Sequence, residues 1–159
     1  MQELTGSRNA SGCRFAIVVS RFNEDITSGL LKGARTLLAE AGAADDNLTL
    51  VHVPGAWEIP VVSQRLAETG LFDAIVCLGC LIKGDTMHFE YIAEAVSQGI
   101  ARAAAATGVP MAFGVLTTLT EEQAVERAGD GPGNKGREAA LAAVEMATLF
   151  RVLEQEAAP

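Results

Sequence analysis

Between Gly79 and Tyr91 the chain reads GCLIKGDTMHFEY, a stretch that gathers a Lys, an Asp, a Thr and a His around glycines. Downstream, Phe89, Ile92, Ala93, Val96, Ile100 and Ala103 recur at helical spacing, so a helix starts near Thr86 or Met87. Gly84, Asp85 and Thr86 then stand at a helix N-terminus. Unpaired N–H groups and the positive end of the helix dipole favour phosphate or carboxylate there. His88 follows in the first turn, and histidine moves protons near neutral pH. The spacing sets a proton carrier beside an anion cradle.

The elements that must position these residues alternate regularly. Phe15 to Ser20, Leu48 to Val53, Ala74 to Leu81 and Met111 to Leu116 are β-branched or apolar runs of strand length. Helical patterns fall between them, from about Asp25 to Ala41, from Pro60 to Thr69 and from Thr86 to Thr107. Thr120 with Gln123 spells a capping box for a short helix ending at Ala128. The tight loop GDGPGNKG precedes a last helix, from about Gly136 to Glu154. The βαβαβαβ order implies an all-parallel sheet covered on both faces, with ligands beyond the carboxyl ends of the strands. Loops leaving those ends, the last placed after Phe113, are expected to bring together Phe22, Trp57, Glu58, Asp85, Thr86, His88 and Phe113. With only 5% aromatic residues, three aromatics at strand ends suggest a platform for a flat ring.

Composition narrows the classes of function. The 159 residues suit one domain over 13–159 behind a flexible, polar arm at 1–12. A net charge of −8 argues against nucleic-acid or anionic-membrane partners. The first residues lack the basic and apolar regions of a secretory leader, and no run is long enough to span a bilayer, so the expected location is cytoplasmic. The cysteines, Cys13, Cys77 and Cys80, are few and odd in number, as in a reducing compartment. Cys77 and Cys80 spell C-x-x-C, but residues three apart in a strand face opposite ways, so they read as packing residues and not as a metal site.

Four motifs in order, RFN at 21–23, VPGAWEIP at 53–60, LGCLIKGDTMHFEY at 78–91 and ERAGDGPGNKG at 126–136, resemble 6,7-dimethyl-8-ribityllumazine synthases. The match runs in register from about Phe15 to Leu149. The resemblance implies an α/β fold, a flavodoxin-like three-layer α/β/α sandwich with a four-stranded parallel sheet. It also implies condensation of 5-amino-6-(D-ribitylamino)uracil with 3,4-dihydroxy-2-butanone 4-phosphate in riboflavin biosynthesis, without metal or organic cofactor. By position, Phe22, with Asn23 beside it, would stack on the pyrimidine, and Ala56, Trp57 and Glu58 would hold the ribityl chain. Cys80, Leu81 and Ile82 would line the pyrimidine edge. Asp85, Thr86 and Arg127 match the phosphate-binding residues and His88 the proton-transfer residue, while Phe113 and Lys135 match ring contacts from a neighbouring subunit, which also supplies Arg127.

The resemblance further implies a pentamer, sixty-subunit shells, and riboflavin synthase as a candidate partner. Where many shell-forming members read AGTKAGNKG, this chain reads AGDGPGNKG, with Gly131 for a Lys and Pro132 for an Ala at unchanged length. Pentamer-only members often have a longer loop there, so the shell is favoured. Two alternatives stay open: an archaeal-type riboflavin synthase, against which the full VPGAWEIP and GDTMHFEY motifs speak, and a non-catalytic flavin-binding shell protein.

Overall fold

Two of the four strands are apolar along nearly their whole length, which places them at the centre of the sheet. Phe15–Ser20 (β1) is buried throughout, as is Ala74–Ile82 (β3) up to its last two residues. Leu48–Val53 (β2) and Met111–Thr118 (β4) each expose part of their length, as edge strands do. The computed structural model describes residues 1–157, and in it the strands form one parallel sheet in the order β2-β1-β3-β4. Residues 158–159, the end of the domain expected over 13–159, lie outside the described residues.

Right-handed crossovers fix where the helices go. The step from β1 to β2 and the steps from β2 to β3 and β4 run in opposite directions across the sheet, so their helices fall on opposite faces. Glu24–Glu40 (α1) covers one face, and Ile59–Glu68 (α2) with His88–Thr107 (α3) covers the other. Glu121–Ala128 (α4) and Lys135–Ala157 (α5) return to the α1 side. The three-layer α/β/α arrangement and the flavodoxin-like strand order match the expectation. Phe15, Ile17, Val76 and Leu78 pack under α1 and α5, while Val18, Ile75, Cys77 and Val96 form the core of the other layer.

Some boundaries and bonds differ from the sequence reading. β4 continues two residues past Leu116, because Leu81 and Ile82 at the end of β3 pair with Thr117 and Thr118. The Thr120 hydroxyl accepts from Gln123 N at 3.3 Å, as a capping box requires, but the Gln123 side chain accepts from Leu119 N at 2.9 Å, one residue earlier than Thr120. The arm through Gly12 has no regular structure, yet it is tied down where polarity alone predicts fraying. Ser7 N donates to the Thr148 hydroxyl of α5 at 2.8 Å, which donates to Ser7 O at 3.0 Å, and Ala10 is fully buried with its N–H on Ala41 O.

Candidate active site

The strand order reverses between β1 and β3, and helices on either side of that point diverge and leave a crevice. The β1–β2 pairing extends past both strands, with Arg21 N donating to Val53 O at 2.9 Å and Phe22 N to Pro54 O at 3.0 Å. Asn23 then turns the chain in the left-handed region (φ 57), which asparagine tolerates better than most residues. Its amide donates to Cys80 O at 3.0 Å, so the β1–α1 turn is fastened to the end of β3. Phe22 is left 67% exposed at the rim, facing the 3₁₀ turn Ala56–Glu58, where Trp57 is 57% exposed. Two large aromatics exposed beside the strand ends are surface available to a ligand and not core.

Phe22, Ala56, Trp57, Leu81, Ile82, Thr86 and His88 line one cleft of about 340 Å³ together with Gly55, Gly84, Phe89 and Ile92. Of the seven residues whose loops were expected to converge, Phe22, Trp57, Thr86 and His88 line this cleft, joined by Ala56, Leu81 and Ile82 from the resemblance. Phe89 and Ile92 belong to the apolar stripe of α3; Ile92 packs against the core, and at the helix start both also wall the cleft. His88 is the first residue of α3, and the exposed segment Gly84–Met87 precedes it with no atom near enough to fill the place of a Gly84 side chain. The loop is held at its base. Lys83 N donates to Thr118 O at 2.9 Å, and Lys83 Nζ pairs with Glu90 at 2.9 Å, which holds the Glu90 carboxyl below the usual carboxylate range.

Three proposed residues take different positions. The Cys80 side chain is buried under α1, so of this residue only the carbonyl, which receives Asn23, is near the cleft. One Glu58 oxygen accepts from Gly55 N at 2.8 Å and shapes its own loop. Asp85 is exposed in the anion loop but is not among the cleft-lining residues.

The remaining set lies elsewhere. Phe113, Arg127 and Lys135 line a separate cleft of about 390 Å³ along β4, between that strand, α4 and α5. The two clefts share no residue. Phe113 is not at a strand end, as the sequence reading placed it: it pairs with Cys77, five positions before Ile82, roughly 16 Å down the strand. A benzyl side chain cannot span that distance. Arg127 donates to the carbonyl of Gln123 at 3.0 Å, and Lys135 binds both oxygens of Glu138 at 2.8 and 3.0 Å.

Cys77 and Cys80 enter opposite cores, as their spacing predicts, and burial pushes their thiols up to about 12 and about 11. Among the described residues no group of three or more His, Cys, Asp or Glu is arranged to hold a metal, and no helix is long and apolar enough to cross a membrane.

Fold and cleft together define a parallel α/β protein with a cleft at the strand reversal, walled by aromatics and ending at a helix N-terminus. The family model of 6,7-dimethyl-8-ribityllumazine synthase matches residues 12–151, and the chain belongs to that family of riboflavin-biosynthesis transferases.

Proposed function

We propose that this protein condenses 5-amino-6-(D-ribitylamino)uracil with 3,4-dihydroxy-2-butanone 4-phosphate, releasing phosphate and water. The observation that carries the reading is that Phe22, Trp57, Thr86 and His88, from three separate motifs, converge on one cleft at the end of a family-matched sheet. Phe22 stacks on the pyrimidine, Ala56 and Trp57 flank the ribityl chain, and Gly84, Asp85 and Thr86 receive the phosphate. The amine attacks a ketone, an imine forms with loss of water, phosphate leaves and a ring closes. His88, at the mouth of the anion loop, carries protons for these steps. Much of the acceleration comes from holding two reactive molecules in register.

In this reading the site is shared between copies. Phe113, Arg127 and Lys135 are spatially separate from the first cleft within one chain, which supports their service to a neighbour in a head-to-tail ring. The ring is a pentamer, and the unchanged length of the 128–136 loop supports its assembly into a sixty-subunit shell in the cytoplasm. Light scattering separates pentamer from shell by a roughly twelvefold difference in mass.

The test of the reaction is phosphate release with both substrates, which neither alternative function produces. The test of sharing mixes two crippled chains. When His88→Ala and Arg127→Ala subunits are unfolded together and co-assembled in equal amounts, random placement leaves roughly a quarter of interfaces with both residues intact. Activity recovers toward that fraction; activity that stays at the level of the separate mutants in proven co-assemblies places both residues in one subunit.

A further inference from the structure

The cleft along β4 depends on a residue that does not line it. Asn134 is only 3% exposed, in a loop between two helices where a polar side chain must be fully bonded to be kept. Its oxygen accepts from Arg137 N at 3.0 Å, the N-cap bond that starts α5. Its amide nitrogen lies 3.0 Å from each of three carbonyls: Ala128 and Gly129, at the end of α4, and Gly29 of α1. Two N–H groups serve three acceptors, so at least one is shared. A single amide therefore joins the end of one helix, the start of the next and the flank of a third.

The surroundings leave the amide no alternative position. A Cβ on Gly33 of α1 would sit 2.1 Å from Asn134 Oδ1, and one on Gly136 would sit 2.0 Å from Leu30 O. Glycines at both positions let the helices meet backbone to backbone, with Asn134 as the polar filling of the joint. Arg127 immediately precedes Ala128, whose carbonyl the amide holds. Among the described residues Arg127 is bonded only within α4, to Gln123 O, and near Glu126, at 3.7 Å. Ala124 and Ala128 pack α4 on the core, and the bonds to Ala128 and Gly129 fasten the terminus beside Arg127.

We infer that Asn134 is the positioning residue for Arg127: its amide N–H groups hold the α4 terminus so that the guanidinium meets an anion at a fixed place. The inference rests on the proposed role of Arg127 in phosphate binding. Asn134→Ser keeps an acceptor to cap α5 but removes the donors to Ala128, Gly129 and Gly29, and so separates capping from attachment. It raises KM for the phosphate-bearing substrate about tenfold, the worth of one or two hydrogen bonds, and changes KM for the pyrimidine less than threefold. In an Arg127→Ala background the same substitution adds little, because the residue it acts through is gone.

A role confined to stability instead lowers Tm, raises neither KM selectively, and adds in full to Arg127→Ala; that result overturns the inference. If Asn134→Ser does not fold, Asn134→Thr, which also keeps a capping oxygen and lacks the amide donors, gives the same comparison. Calorimetry with inorganic phosphate keeps this inference apart from the reaction. Wild type that binds phosphate but turns over neither substrate sinks the proposed reaction, and the loss of affinity in Asn134→Ser then decides the inference. Wild type that does not bind phosphate at all overturns both.

Discussion

The two clefts are built in opposite ways. At the strand reversal, Phe22, Trp57 and Leu81 surround an open crevice whose anion loop has few internal bonds. Along β4, the cations are bonded to their own helices, Arg127 to Gln123 O and Lys135 to Glu138, and their supporting loop is fastened by Asn134. One region presents exposed aromatics beside a glycine loop at the start of α3; the other presents positive charge and an aromatic along an edge strand. The difference teaches that, under the proposed reaction, each region supplies what the other lacks, and that pairing one with the other completes the site.

If that complementarity is real, breaking each region changes a different kinetic quantity. The largest effect is expected at Arg127: truncation to Ala removes a charge-assisted contact to phosphate, about 3 kcal/mol or roughly 150-fold in KM for that substrate. An unchanged KM would detach the β4 cleft from the reaction. His88→Ala is expected to lower kcat about 10²-fold, the low end for a general acid or base, with KM little altered because stacking and the anion loop persist. A fall in affinity with kcat intact would reassign His88 to binding.

Phe22→Ala sharpens the contrast between cleft and core. It should weaken binding of the pyrimidine about tenfold by loss of stacking, with Tm nearly unchanged, since the ring is mostly in water. Phe15→Ala, fully buried, should instead cost about 3–5 kcal/mol of stability. Equal stability losses at both positions would show that Phe22 is packed against another part of the assembly.

The smallest effect on activity is expected at the thiols. Cys77→Ala with Cys80→Ala should keep activity within about a factor of ten, because neither sulfur faces the cleft. Their pH signature is distinct. An unfolded thiol ionises near 9.0, whereas burial pushes these two up to about 12 and about 11. Folded pKa values above unfolded ones mean that the contribution to stability is complete below pH 9 and is lost as pH rises through about 11–12. Thermal unfolding at pH 8 and pH 10 should therefore show a steeper alkaline loss in wild type than in the double variant; parallel curves would mean that the thiols are not buried in solution.

The sequence by itself determined the layers and half of the site. Apolar runs at Phe15–Ser20 and Ala74–Leu81 called for burial on both faces, and the strand–helix alternation called for a parallel sheet covered on both sides, whereas the order β2-β1-β3-β4 belongs to the packed structure. Phe22, Trp57, Thr86 and His88 were legible because each stands just beyond a strand or at a helix start, positions that periodicity locates within a residue or two. Phe113 was not, because its place depends on β4 pairing as far as Thr118, and the length of an edge strand is set by its neighbour's hydrogen bonds and not by its own pattern. Nor was Asn134: one asparagine before a helix reads as a cap, and only the packed structure places Ala128, Gly129 and Gly29 around its amide. Local spacing fixes what each short segment offers, whereas contacts between segments about a hundred residues apart, such as Gly29 with Asn134, exist only after the sheet has brought their helices together.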